Sequence, residues 1–178
     1  MKVKLKVKRT DSPGGDYTRY EIDAPEYFTL LDALIKVREY EDGTLALRCS
    51  CRSAICGSCA MRVDGRARLA CRAKVIAITR GDENHEITVE PMGNMPVIKD
   101  LVSDMELFWS KMRSVDPYLQ PAGPEPEGEY LVTNESMLDL TRTMNCIMCG
   151  ACVSDCTVLE VDKNFTAPAA LAKAYRVV

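Results

Sequence analysis

The residues best suited to chemistry in this chain are its thiols. Nine cysteines stand against a single histidine, so any bound metal would be held through sulfur rather than imidazole. Cys51, Cys56 and Cys59 follow the spacing C-x4-C-x2-C, with Cys71 further along the same half. That is the plant-type ferredoxin pattern for a [2Fe–2S] cluster. Two irons and two sulfides need four converging thiolates, three from a tight loop and the fourth from a neighbouring strand. Gly57 lies between two of these cysteines, where a Cβ would obstruct a closely wrapped backbone. Backbone N–H groups in such a loop also hydrogen-bond the sulfurs and tune the potential. Cys49 is a surplus thiol that breaks the spacing, and it reads as a small residue packed beside the loop.

Near the other end, Cys146, Cys149, Cys152 and Cys156 follow C-x2-C-x2-C-x3-C, the bacterial ferredoxin run for cubane-type clusters. Three of them grip corners of one cubane, while the fourth ligates a different cluster. A two-cluster ferredoxin repeats the run so that each completes the other. Here it occurs once, which leaves each cluster short of ligands within this sequence. A zinc-stabilised structural protein is the competing reading of these cysteines, and iron and acid-labile sulfide analysis separates the two.

The rest of the sequence must position these groups. In 178 residues, 47% are hydrophobic and 28% charged, with a net charge of −3. This excludes a wholly disordered chain and argues against a dedicated nucleic-acid binder. No apolar run approaches the roughly 18 residues of a membrane span. Met1 to Arg9 holds no signal-peptide stretch. An odd cysteine count without such a signal points to reduced thiols in an intracellular compartment.

Val3, Leu5 and Val7 alternate with Lys2, Lys4, Lys6 and Lys8, a half-buried strand with a lysine face. Those lysines read as a solvated face that discourages edge pairing, with membrane contact as the alternative. Asp11 to Asp16 is a turn, and Tyr17 to Ile22 a second strand. Thr29 opens a helix, with Asp32 completing a capping box and Leu30, Leu31, Leu34, Ile35 and Val37 forming its apolar face. Asp64-Gly65 joins Met61–Val63 to Ala67–Leu69 in a hairpin, and Glu86 to Val89 is a further strand. These elements describe a small α+β domain.

Val97, Leu101, Met105, Phe108 and Met112 recur at helical spacing, with Asp100 as N-cap and Val115-Asp116-Pro117 as the stop. Phe108 and Trp109 read as packing residues between two domains. Prolines and glycines punctuate residues 117–130, an extended linker. A helix from Thr133 or Asn134 runs through Met144 into the second cysteine group, and Pro168 opens a last helix at its first position. The domains are therefore residues 1–116, a linker 117–130 and residues 131–178.

Charge is unevenly placed. Arg48, Arg52, Arg62, Arg66, Arg68, Arg72, Lys74 and Arg80 face only Asp64, whereas Asp116 to Thr141 holds acids and no base. Cations around an anionic cluster favour its reduced state, and a basic face that meets a partner is the other reading. No G-x-G-x-x-G follows a strand, and His85 reads as a surface residue.

With both cysteine runs in this order and joined by this linker, the sequence resembles the iron–sulfur subunit of succinate dehydrogenase and fumarate reductase. The stretches Cys51-Arg-Ser-Ala-Ile-Cys56-Gly-Ser-Cys59-Ala-Met, Leu69-Ala-Cys71, Val97-Ile-Lys-Asp-Leu-Val102, Pro117-Tyr-Leu119 and Pro168-Ala-Ala-Leu-Ala-Lys-Ala-Tyr-Arg176 carry the likeness. The resemblance implies a β-grasp [2Fe–2S] domain followed by an α-helical ferredoxin domain, incomplete here. It implies that Cys51, Cys56, Cys59 and Cys71 hold [2Fe–2S], that Cys146, Cys149 and Cys152 give three ligands to [4Fe–4S], and that Cys156 gives one to [3Fe–4S]. It further implies a partner FAD-containing flavoprotein subunit, membrane anchor subunits with quinone, and a peripheral place on the cytoplasmic face of the inner or plasma membrane, or on the matrix side of a mitochondrion. Substrate chemistry would then belong to the flavoprotein, and this chain would relay electrons.

The sequence departs from the family in places. Family members continue through a second cysteine set, absent after Cys156, so the chain is expected to be truncated at its C-terminus. Thr157 stands where a proline typically follows the last cysteine, and Trp109 is the only tryptophan, which weakens any direct quinone contact. The alternatives are a free-standing ferredoxin carrier and the iron–sulfur subunit of another flavoprotein oxidoreductase.

Overall fold

The computed structural model describes residues 1–10, 16–120 and 123–177; most of the turn expected at Asp11 to Asp16 lies outside them. Strand β1 (Lys2–Lys8) alternates as its sequence demands, with Val3, Leu5 and Val7 buried. It pairs antiparallel with β2 (Tyr17–Asp23), Leu5 opposite Tyr20. Its lysines stay on the outer side: Lys2 pairs with Glu21 at 2.9 Å, Lys4 reaches Asn84, and the Lys6 ammonium lies 4.7 Å from the centre of the Tyr17 ring. The lysines guard no edge, however, because β1 lies between β2 and β5 and is paired on both sides.

Helix α1 (Leu30–Tyr40) begins at the capping box: the Asp32 N–H donates to Thr29 Oγ1, and the Thr29 N–H to Asp32 Oδ2. Its buried face, Leu30, Leu31, Ala33, Leu34 and Val37, packs on the sheet. Strands β3 (Ala60–Val63) and β4 (Arg66–Leu69) form the hairpin. Asp64 at φ 48° and Gly65 at φ 77° supply the left-handed pair that such a two-residue turn needs. A short helix α2 (Val75–Thr79), unforeseen in the sequence, leads to β5 (Glu86–Glu90). The sheet order is β2-β1-β5-β3-β4, with β1 and β5 parallel. This mixed sheet grasping one helix is the α+β, β-grasp architecture expected.

One expectation is corrected. The segment from Val97 does not lead into a helix opening at Asp100. Strands β6 (Val97–Lys99) and β7 (Val102–Ser103) form a small ribbon, and helix α3 (Glu106–Arg113) starts later, with Met105 at its N-cap. Asp100 is no cap. It sits in the turn between β6 and β7 at φ 47°, 1% exposed. Its carboxylate accepts the N–H groups of Thr10 and Ala46, both at 2.9 Å, and stands 3.1 Å from Arg9 Nε. Arg9 also contacts Asp42, the Tyr20 hydroxyl and Thr44 Oγ1. A tertiary network therefore fixes the turn against the helical spacing of its apolar neighbours, and Val97 and Ile98 are left exposed.

From residue 117 to 130 the described residues form no helix or strand, as the prolines demand. Helix α4 (Asn134–Met144) follows, capped by Thr133 accepting the Ser136 N–H. Then come α5 (Ala151–Ser154), α6 (Thr157–Val161) and α7 (Pro168–Val177). Helices α5, α6 and α7 pack on a second core in which Met92, Met95, Phe108 and Met112 meet Val153, Leu159 and Ala170, and α4 lies against α7. Phe108 is buried there as expected; Trp109 stands edge-on to it, their rings 4.9 Å apart, and is partly exposed. No described helix is long and apolar enough to cross a membrane.

Asp42 is held far below the usual carboxylate range by the hydroxyls of Thr44 and Tyr20, with Arg9 adding to them. For Asp100, burial pushes upward, but the N–H groups of Ala46 and Thr10 and the Arg9 guanidinium outweigh it and the net shift is downward. Both groups bind protons less tightly folded than unfolded. Their stabilisation is complete above about pH 4, the ordinary carboxylate value, and is lost as pH falls below it. Asp100→Ala removes one partner of a buried charged network and should cost about 3–5 kcal/mol. Urea unfolding at several pH values should show this loss and a flatter dependence of stability on acid; an unchanged midpoint would remove the network from the account of the turn.

Candidate functional site

The first cysteine loop is built from left-handed backbone. Arg52 at φ 56°, Ala54 at φ 57° and Gly57 at φ 72° interrupt the run of extended and helical residues. Such turns aim successive N–H groups inward, forming a concavity for negative charge. The N–H groups of Ser53, Ile55 and Cys56 all donate to Cys51 Sγ, at 3.3, 3.4 and 3.3 Å. The Cys51 N–H donates to Cys56 Sγ, and the Cys71 N–H to Cys59 Sγ, each at 3.5 Å. Cys59 and Cys71 flank β3 and β4, and the Ala70 N–H donates to the Cys59 carbonyl. The hairpin thus brings the fourth cysteine beside the loop.

The thiols differ in character. Cys56 is pulled down to about 6 by the Ser58 hydroxyl and by the N–H groups of Cys51 and Ser58, so it carries thiolate near neutral pH. Burial pushes Cys59 up to about 11. Iron must displace that proton, so loading the loop releases protons. Sulfur surrounded by inward N–H donors fits an anionic, thiolate-bound cluster. Among the described residues, no three cysteine, histidine or carboxylate side chains gather as they would around a single ion. Cys49 is half-buried against the first core.

In the second group, Met148 at φ 54° and Gly150 at φ 78° bracket Cys149, repeating the left-handed punctuation of the first. The Cys152 thiol is pushed up by burial and then by the neighbouring Cys149 and Cys146, so these three lie close enough to interact. Cys156 is buried in the second core with Val153 and Leu159, and Cys149 packs against the same core. Cys146 is exposed, at a small cavity of about 30 Å³ lined also by Met148, Lys173 and Arg176. Cys146, Cys149 and Cys152 could hold one iron–sulfur group, and Cys156 part of another.

The two groups touch. A Cβ built on Gly57 would lie 2.8 Å from both Cα and Cβ of Cys149. A cavity of about 450 Å³ opens beside this contact, lined by Cys56, Ser58, Met92, Met105, Trp109 and Cys149 among others. The sequence marked Gly57 for closeness to a cluster; the structure shows that the close approach is to the other cysteine run. Sequence reasoning missed Gly93 and Asn94, which bind the second run from the sheet side. Arg48, counted in the basic segment, turns to the protein instead, its guanidinium donating to the Ser103 carbonyl at 3.1 Å. The basic segment carried a charge signal; nothing in the sequence marked Asn94. Of that segment, Arg62 also turns inward, to the Gly65 carbonyl and towards Asp155 at 3.8 Å.

The family described as "2Fe-2S iron-sulfur cluster binding domain" matches residues 4–110. The fumarate reductase iron-sulfur subunit of Mycobacterium tuberculosis is 37% identical over 162 residues, covering 90% of this chain and 64% of the relative. The succinate dehydrogenase iron-sulfur subunit of Paracoccus denitrificans is 41% identical over 148 residues, covering 83% of this chain and 55% of the relative. The chain thus spans somewhat over half the length of these relatives. A chain of the Mycobacterium smegmatis Sdh1 complex in the apo form superposes with a TM-score of 0.85 at 29% identity, over 99% of this chain and 75% of that one.

The glycine contact makes a graded prediction. Gly65, at φ 77°, has no described atom within 4 Å of a Cβ, so Gly65→Ala meets only the left-handed penalty of about 1–2 kcal/mol. Gly57→Ala adds overpacking against backbone, about 1–3 kcal/mol more. Denaturant unfolding of the two variants should rank Gly57→Ala as the more costly. Equal losses would show that the cysteine loops are not pressed together.

Proposed function

We infer that this chain, which belongs to the family of 2Fe–2S iron–sulfur cluster binding domains, relays single electrons within a succinate dehydrogenase or fumarate reductase. It would carry them between an FAD-containing flavoprotein subunit and quinone at membrane anchor subunits. The observation that carries this reading is the contact of Gly57 with Cys149, because electron transfer weakens steeply with distance and two loops in contact keep that distance short. The similarity to two iron-sulfur subunits of these enzymes supports it. A diffusible ferredoxin carrier has no comparable support.

In this reading Cys51, Cys56, Cys59 and Cys71 hold the [2Fe–2S] cluster. Cys146, Cys149 and Cys152 supply three ligands of [4Fe–4S], and Cys156 one ligand of [3Fe–4S]. Residues 1–116 and 131–178 serve as the two cluster-bearing units, with 117–130 spanning them. When bound, such clusters take up and release one electron at a time, so a two-electron donor is emptied in two steps.

The chain's own residues do the positioning. Backbone N–H groups of Ser53, Ile55 and Cys56 stabilise negative charge at Cys51 Sγ. The second core excludes water from the side where Cys156 lies. The exposed cations Arg52, Arg66, Arg68 and Arg72 add positive potential around the first loop. The assembly would lie peripherally, on the cytoplasmic face of the inner or plasma membrane or on the matrix side of a mitochondrion.

Low-temperature EPR of the intact complex, purified with the full-length gene product, tests the reading. Adding succinate should reduce a two-iron centre and at least one cubane-type centre. Cys56→Ser or Cys59→Ser should abolish or strongly alter the two-iron signal, while Cys49→Ser leaves it intact. Iron-free protein, or centres indifferent to succinate, would overturn the proposal.

A further inference from the structure

We propose that Asn94 is a positioning residue for Cys156, acting as a side-chain clamp from the sheet domain on the junction between α5 and α6. The proposal rests on the reading that the second cysteine run holds clusters, and it names the residue that sets where one of its ligands points.

Asn94 lies in the loop between β5 and β6, some sixty residues from the run in sequence, with its backbone at φ 61°. Its Nδ2 donates to the carbonyls of Val153 and Cys156, both at 2.9 Å, and stands 3.4 Å from that of Ser154. One amide has two N–H groups, so the two short contacts are the principal bonds. The orientation of the amide is not arbitrary: Lys163 Nζ donates to Asn94 Oδ1 at 3.1 Å, and a flipped amide would turn its oxygen against three carbonyls.

The carbonyls of Val153 and Ser154 belong to the end of a one-turn helix, and that of Cys156 to the start of the next. The last carbonyls of a helix lack intrahelical partners, and α5 is too short to hold itself. After the C-cap Asp155 comes Cys156, in extended backbone at φ −81°, as the N-cap of α6. By bonding carbonyls on both sides of the α5–α6 corner, Asn94 fixes the direction from which the Cys156 side chain departs. The neighbouring residue reinforces the clamp. The Gly93 N–H donates to Ser154 Oγ at 2.9 Å, and a Cβ on Gly93 would lie 2.7 Å from the Ser154 carbonyl oxygen. On the other flank, the Ala67 N–H donates to Asp155 Oδ2 at 2.8 Å.

Asn94 could instead be present only because asparagine tolerates left-handed backbone. Asn94→Gly separates the two roles, since glycine adopts that backbone freely but brings no amide. Asn94→Asp keeps the shape and the acceptor for Lys163 but sets oxygen against the carbonyls. Both variants are made in the full complex and examined in two ways. The first is amide hydrogen exchange of residues 151–161, which needs no cluster signal. The second is EPR of the cubane-type centres through repeated oxidation, with the two-iron signal as internal reference.

Exchange at 151–161 should speed up at least tenfold in Asn94→Gly, and further in Asn94→Asp. The cubane-type signals should decay several-fold faster than in the unaltered protein, with the two-iron signal unchanged. Gly93→Ala should behave like Asn94→Gly. Wild-type exchange and wild-type signal decay in Asn94→Gly would overturn the proposal, as would equal loss of the two-iron signal. If the unaltered complex shows no cubane-type signal, the cluster reading fails, and the exchange measurement still decides whether Asn94 braces the corner.

Discussion

The arrangement depends on backbone meeting backbone where Gly57 lies against Cys149. Two loops that each bend around their own sulfur atoms are brought so close that not even a methyl group fits between them. Loops of this kind are expensive to form. Arg52, Ala54 and Met148 hold left-handed backbone without being glycine, at about 1–2 kcal/mol each. The strain is spent on direction: it turns N–H groups toward sulfur and keeps both loops narrow enough to touch. A loop with relaxed dihedrals would splay, and the separation between the two groups of thiols would grow.

The two cores on either side of this contact differ in material. Leu5, Leu30, Leu34, Val63 and Ile87 make the first core an aliphatic sheet-and-helix interior, where regular strands present complementary surfaces. The second gathers Met92, Met95, Met105 and Met112 around Phe108. Methionine is unbranched and polarisable, and it fills irregular gaps. Loops that bend to suit their cysteines offer no regular surface, so flexible thioethers do the filling. Three of these methyls crowd the place where Gly150 would carry a side chain. The polar contacts of Asn94, Gly93 and Asp155 then supply the register that an adaptable core does not define by itself.

Much of this was legible in the sequence, for local reasons. Cysteine spacing, the alternation of β1, the Thr29 capping box and the Asp64-Gly65 turn are each written within a few residues. The fold around them followed. The error at Val97 to Asp100 has a different cause. Its apolar spacing suits a helix, but Asp100 is claimed by Thr10, Ala46 and Arg9, residues far away in the chain. No window of sequence contains that competition. The one-turn helices α2, α5 and α6 escaped because too few residues show a period. Asn94 escaped because its partners lie in the second cysteine run.

The same geometry accommodates Thr157 at a position where proline would also fit. Cys156 is the N-cap and Thr157 the first residue of α6. Proline suits that position because its missing N–H would have no intrahelical partner there. A residue before proline must be extended, and Cys156, at φ −81° and ψ 107°, is extended without one. The conformation that proline would impose on its neighbour is therefore already present. It is held by the carbonyl of Cys156 accepting from Asn94 and by the buried position of its thiol. A constraint that proline at 157 would supply through its covalent ring is met in this chain by contacts from the opposite side of the cysteine run.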